Sequence, residues 1–316
     1  MIYLDDAVKS FISHCQYEKN LSPKTMNAYS IDLKQFKSYI NEQHENMDIA
    51  INEISKDLIK NYLQTIYHFK PKTTKRKVAS LKAMFNYLEY ENDDFTNPFR
   101  KIKIRFKEPH TLPVVMTIGE VKKILDILYE DMNGNSNTDT YTHKTQIRNI
   151  AIVELLFATG MRISELCNLK TTDIDLKTGV IRVMGKGRKE RIIQICNMEI
   201  QSLLKKYRKL HSSFNKNDSF FINRLGQPVS TQSVRLMLHK YVHKAGVLKK
   251  ITPHTFRHTF ATLLLEENVD IRYIQSMLGH SSIATTQIYT HINTENQKKI
   301  LRTKHPRRKL KFPTGE

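Results

Sequence analysis

Apolar residues recur at helical spacing through most of the first ninety positions. Residues 4–18, LDDAVKSFISHCQYE, predict one helix. LSPKT (21–25) restarts the pattern with Ser22 as cap and Pro23 at the first helical position. That second helix carries Tyr29, Leu33, Phe36 and Ile40, and two more follow near 55–68 and 73–90. The last has Val78, Leu81, Phe85 and Leu88 on its apolar face. Four helices of this kind make an all-helical N-terminal unit.

The pattern fails over 91–113, where ENDD, Asn97-Pro98, RKIKIRFKEP and Leu112-Pro113 leave no regular helix. We read this stretch as an interdomain connection and set the domains at 1–105 and 113–316, with 106–112 as linker. Beyond it, TIGEVKKILDILYE opens with Thr117 as a cap, and another helix is expected over 145–158. The polar run MNGNSNTDTYTHK (132–144) reads as an exposed loop. In GVIRVMGKGRKERIIQI (179–195), two β-branched runs flank a Gly-Lys-Gly-Arg turn, which predicts a hairpin. Helices return near 197–210, 230–245, 253–268, 270–278 and 283–291. The fold class is therefore mainly α with a small antiparallel β-sheet. Alternating strand–helix units are missing, which excludes a doubly wound nucleotide-binding fold.

Charge changes the picture. Lys and Arg number 51 against 31 Asp and Glu, a formal +20, so the first partner to consider is a polyanion, and nucleic acid before membrane. Basic residues concentrate at Lys72, Lys75, Arg76 and Lys77, where they oppose the dipole of the helix they open unless phosphates sit nearby. A second group, Arg100, Lys101 and Lys103, lies in the interdomain stretch, and a third, Arg188 and Lys189, in the hairpin. The three cysteines, Cys15, Cys167 and Cys196, have no metal-type spacing and suggest unpaired thiols in a reducing compartment. The N-terminus lacks the features of a signal peptide, and IAIVELLFA (150–158), broken by Glu154, is too short to span a bilayer. A cytoplasmic protein is expected.

Four segments could carry chemistry. In ITPHTFRHTFATLLLEE (251–267), Phe256, Phe260, Leu263 and Leu264 form a buried stripe, while His254 and Arg257 share another face near the helix start, where an anion is favoured. Structural polar residues would explain the pair equally. A zinc site through His254, His258 and His280 is disfavoured: no HExxH glutamate is present and Arg257 would stand between two ligands of a cation. In FATGMRISELCNLK (157–170), Gly160 ends one helix and Arg162 precedes the next, with Glu165 able to pair with it; a surface salt bridge is the plainer reading. Lys186 sits in the glycine-flanked hairpin turn, without Walker spacing. In LGHSSIATTQIYTH (278–291), Ala284, Ile288 and Ile292 form an apolar stripe and Tyr289 lies one step off it, nine residues after His280.

Together, ATGMRISEL, GKGRKER, HTFRHTFAT and LGHSSIATTQIYTH resemble, in order and spacing, the tyrosine recombinase family of phage integrases and Xer-type recombinases. The resemblance covers essentially residues 1–305. It implies a SAM-like core-binding domain and a catalytic domain clamping double-stranded DNA at specific sites. It implies Tyr289 as nucleophile forming a 3′-phosphotyrosine, Arg162 and Arg257 clamping the phosphate, His280 donating to it, Lys186 as general acid, His254 as base and Glu165 orienting Arg162. No metal or other cofactor is implied. A homo-tetramer on two duplexes follows by analogy, with the segment TENQKKILRTKHPR (294–307) docking on a neighbouring subunit. The basic tail RRKLKFPTGE (307–316) reads as DNA-contacting or disordered. A minimal recombinase is expected, either a chromosome-dimer resolvase or a mobile-element integrase. The alternatives are a type IB topoisomerase and a DNA-binding module without catalysis.

Overall fold

The computed structural model describes residues 2–45, 47–104, 106, 112–134, 141–185, 190–211, 218–279 and 294–312. The chain divides into two compact units, Met1–Thr111 and Leu112–Glu316.

The first unit is built from α1 (Leu4–Ser13), which runs into a π-helical turn, α2 (Pro23–Gln43), α3 (Lys56–Thr65) and α4 (Pro71–Glu91). Ser22 and Ser55 cap α2 and α3 by accepting from the backbone N–H of Thr25 and Leu58. Prolines hold the first positions of α2 and α4, where a missing N–H costs nothing. Leu4, Phe11, Leu33, Phe36, Ile40, Leu81, Phe85 and Leu88 form one closed core.

The stretch after α4, read as an interdomain connection, packs on this unit, and one expectation is corrected below. Phe95 and Phe99 are buried in the same core, Ile102, Ile104 and Phe106 pack against it, and Asn97 caps a short 3-10 turn over Pro98–Lys101. Five spaced apolar side chains bind this segment to the first unit. Lys77, expected to face DNA, is instead buried at 3% exposure. Its ammonium lies 3.4 Å from Asp32, a carboxylate with no exposure at all, and also donates to Gln35. Arg76 reaches the same carboxylate at 2.5 Å and the Ser80 hydroxyl donates to it at 2.8 Å. A carboxylate removed from water requires such partners. The α2–α4 contact consumes Lys77.

The second unit surrounds α6 (Tyr141–Thr159), which is apolar on nearly every side and buried from Asn149 to Thr159, as an all-round hydrophobic helix must be. The helix begins at Tyr141, so the expected loop 132–144 is helical at both ends, with 135–140 outside the described residues. α5 (Ile118–Asn133), α8 (Met198–His211) and α10 (Pro253–Glu266) pack on it. α5 starts with a full capping box between Thr117 and Glu120. The expected hairpin is part of a three-stranded antiparallel sheet in the order β1 (Ile174–Asp175), β2 (Val180–Met184), β3 (Glu190–Gln194). Ile181 faces Ile193 and Val183 faces Arg191 across β2 and β3. α7 (Ile163–Cys167), α9 (Thr231–Lys244), α11 (Ile271–Leu278) and α12 (Thr294–Lys304) complete the described α-helices. The helix expected at 283–291 lies outside the described residues. No described helix is long and apolar enough to cross a membrane.

The C-terminal tail, expected to touch DNA or stay disordered, folds into this unit as far as Phe312. Leu310 and Phe312 join the core, and Arg307 is 1% exposed. Its guanidinium donates to both oxygens of Glu154 at 2.7 and 2.8 Å, to Glu199 at 2.9 Å and to the Leu310 carbonyl at 2.6 Å. Glu154, which interrupts the apolar run of α6, is there to receive it. Leu301 of α12 packs with Phe260 and Leu264 of the same chain.

His305 lies beside this pair. One ring nitrogen, Nδ1, accepts from the Arg307 N–H at 3.0 Å, so Nε2 carries the proton and donates to the Ala158 carbonyl at 3.0 Å. Both nitrogens are satisfied only in the neutral ring. Burial therefore pushes its pKa from 6.5 down to about 4. The unfolded chain takes up a proton near pH 6.5 and the folded one does not, so stability is lost as pH falls from there toward 4. The expected loss is about 3 kcal/mol over that window. Urea titrations at stepped pH should show it, and the His305→Gln variant, which keeps both hydrogen-bonding roles without titrating, should show a flatter curve. Separately, Arg307→Met strands Glu154 in the core and should cost about 3–5 kcal/mol by the same measurement.

Candidate active site

The site begins where α6 stops. Gly160 takes φ +58°, a left-handed conformation that reverses the chain, and a Cβ there would stand 2.7 Å from the Phe260 ring and 2.8 Å from Leu278. The turn delivers Arg162 to the N-terminal flank of α7. The carboxylate of Glu165, one turn on, accepts the backbone N–H of Arg162 at 2.8 Å and its Nη1–H at 2.8 Å. This is no surface pair, because the Glu165 side chain is 5% exposed. Arg162 keeps 31% exposure and borders a cleft of about 360 Å³ lined by Ser164, Asn168, Arg182 and Gly185.

Arg257 comes from α10, which Thr252 caps and Pro253 opens. The arginine is buried and donates to the carbonyls of Gly160 at 3.0 Å and Leu278 at 2.7 Å. Burial, then the charge of Arg162, pushes its pKa down to about 10, so it stays a cation at neutral pH. The third arginine is one the sequence reading left out. Arg191 on β3 donates to the Met277 carbonyl at 3.0 Å and grips Glu165 with two bonds, at 3.0 and 2.7 Å. The signal was present: strand alternation puts Arg191 on the same face as Ile193 and Ile195, both buried.

Consecutive carbonyls at the end of α11, of Met277, Leu278 and Gly279, thus each receive a different arginine, Arg191, Arg257 and Arg162, the last at 3.2 Å. Cations at a helix C-terminus meet both its orphan carbonyls and its dipole. Gly279, at φ +63°, ends the helix, and the next residue in the chain is His280. Burial of Glu165 raises its pKa, but the Arg191 hydrogen bond and the backbone N–H of Arg162 outweigh it, and the carboxyl is held below its ordinary range. Three guanidiniums around one carboxylate leave surplus positive charge.

His254 stands exposed on the first turn of α10. Partial burial first, then the neighbouring His258 ring and the Arg257, Arg235 and Arg162 guanidiniums, lowers its pKa and keeps the imidazole neutral at pH 7. Lys186, Arg188, Lys189, His280 and Tyr289 lie outside the described residues. Among the proposed DNA contacts of the first unit, Lys72, Lys75, Lys101 and Lys103 are exposed. Arg76 is spent partly on Asp32, and Arg100, though 65% exposed, lies 2.7 Å from Glu89.

A mostly helical domain with a three-stranded sheet, holding an arginine cluster with net positive charge, is built to receive an anion such as a phosphodiester. Residues 115–296 match the phage integrase family, and residues 8–92 match the phage integrase N-terminal SAM-like domain. A tyrosine recombinase of Agathobacter rectalis is 46% identical over 98% of this chain and 99% of its own. The tyrosine recombinase XerC of Thermodesulfovibrio yellowstonii is 35% identical, over 95% and 96%. Among solved structures, the XerH site-specific recombinase bound to its difH substrate, a pre-cleavage complex, shares the fold. Its TM-score is 0.67 at 24% identity, covering 92% of this chain and 83% of that one. The chain belongs to the phage integrase family, the tyrosine recombinases.

Gly160→Ala should test how the turn seats the cluster. The left-handed φ and the clash with Phe260 and Leu278 predict a loss of about 1–3 kcal/mol in urea denaturation.

Proposed function

We propose that the chain is a site-specific recombinase that cuts and rejoins DNA strands with Tyr289 as nucleophile. The observation that carries this reading is the convergence of Arg162 and Arg257 on the end of α11, one residue before His280. The phenolic oxygen of Tyr289 attacks the scissile phosphorus, the bond to the 5′-oxygen breaks, and a 3′-phosphotyrosine forms. A free tyrosine has a pKa near ~10 and is a poor nucleophile at neutral pH until its proton is shared. The neutral His254 accepts that proton. Lys186 gives one to the departing 5′-oxygen, so a free hydroxyl leaves.

Negative charge gathers on the non-bridging oxygens in the transition state, where Arg162 and Arg257 hold it, joined by a hydrogen bond from His280. Arg162 has five N–H donors and, among the described residues, commits two side-chain bonds, which leaves donors for phosphate. A second strand's 5′-hydroxyl reverses the attack, and the covalent link conserves the phosphodiester's energy in between. The exposed Lys72, Lys75, Lys101 and Lys103 of the first unit, with Arg188 and Lys189 of the hairpin, contact the DNA backbone. Assembly as a homo-tetramer on two duplexes provides the second strand. The domain limits 1–105 and 113–316 belong to the same proposal.

The test uses a nicked duplex carrying the cognate site, in EDTA. Wild-type protein should form an adduct that survives denaturing electrophoresis, and Tyr289→Phe should form none; an adduct in that variant would remove Tyr289 from its role. Relaxation of any supercoiled plasmid regardless of sequence would favour the topoisomerase reading. The lowered pKa of His254 adds a sign: the acid limb of the cleavage rate should fall below pH 6.5. His254→Gln should abolish that limb and slow cleavage on the order of 10²–10⁴-fold.

A further inference from the structure

We propose that Arg191 is a positioning residue for this reaction, setting the location and effective charge of Arg162 through the carboxylate that the two share. The inference rests on the reading above.

Glu165 is the hub. Its Oε1 accepts from Arg162 at 2.8 Å and from Arg191 at 3.0 Å, and its Oε2 accepts from the Arg162 backbone N–H at 2.8 Å and from Arg191 at 2.7 Å. Each oxygen therefore bonds to both arginines. Alone with Glu165, Arg162 would form a neutral pair and offer an incoming phosphate little field. With Arg191 matched to the same carboxylate, the trio carries a net positive charge, and Arg162 is the member with the larger exposure, 31% against 11%. Arg191 supplies the second cation, and Arg162 presents the surplus.

Geometry ties the same residue to the other half of the site. The Nε–H of Arg191 holds the Met277 carbonyl, and its Cδ would lie 3.0 Å from a Cβ at Gly279, the residue before His280. β3, α7 and the end of α11 meet in this one side chain. Its planar fork satisfies two carboxylate oxygens and a carbonyl at once, which a lysine cannot do.

The experiment compares wild type, Arg191→Met and Arg191→Lys on two duplexes. One has an ordinary scissile phosphate; the other has a methylphosphonate there, which removes the charge that Arg162 would neutralise. On the ordinary phosphate, Arg191→Met should form adduct about 100-fold more slowly. DNA affinity should stay within about threefold of wild type, since the residue acts on the step and not on binding. On the methylphosphonate, the gap between variant and wild type should shrink to about fivefold or less, because little field is then needed. Arg191→Lys keeps the charge without the fork and should fall between. Should Arg191→Met fail to fold, Arg191→Lys carries the comparison, with a smaller loss that again shrinks on the uncharged substrate. An equal loss on both substrates would reduce Arg191 to structural support, and no loss on either would also overturn the proposal. Wild type without adduct sinks the recombinase reading itself; wild type with adduct and unaffected variants sinks only this inference.

Discussion

The end of α11 is the point from which the rest of the site takes its position. A helix C-terminus carries unpaired carbonyls and partial negative charge, and here three guanidiniums from β3, α10 and the turn before α7 answer it. Such a cluster of like charges is unstable by itself. It holds because the carbonyls and the single carboxylate of Glu165 absorb part of the repulsion and leave the remainder facing the cleft. Anion affinity is in this sense a by-product of how the domain closes its own backbone hydrogen bonds.

That arrangement also explains why residues far apart in sequence must be correct together. Arg257 bonds to Gly160 nearly a hundred positions earlier, and Gly160 in turn has room only for hydrogen between Phe260 and Leu278. A local backbone choice at the end of α6 decides where a side chain of α10 can reach. The core of the second unit and the arrangement of its charged groups are a single packing problem.

Much of this was legible beforehand, for identifiable reasons. The caps at Ser22 and Thr117, and the β-branched runs around Gly185, are local signals, and the elements they predict are present. Arg162, Arg257 and Glu165 could be singled out because short motifs carry them. What could not be read was which basic residues are spent inside the protein. Lys77 sits four positions before Leu81 on the buried face of α4, yet its partner Asp32 is on another helix and unknowable from local pattern. Arg307 lies in a run of cations that looks solvated, and its carboxylate is 153 positions away. Charge counts report totals, whereas pairing depends on tertiary contact.

The closure of Arg307 onto Glu154 joins two stretches 153 positions apart. Glu154 stands in the middle of the central helix, and Leu310 and Phe312, a few positions beyond Arg307, are packed into the same core. A chain cut between the two stretches keeps the helix without its counter-ion. Such fragments expose a charge the core cannot hold, and are left as substrates for proteases.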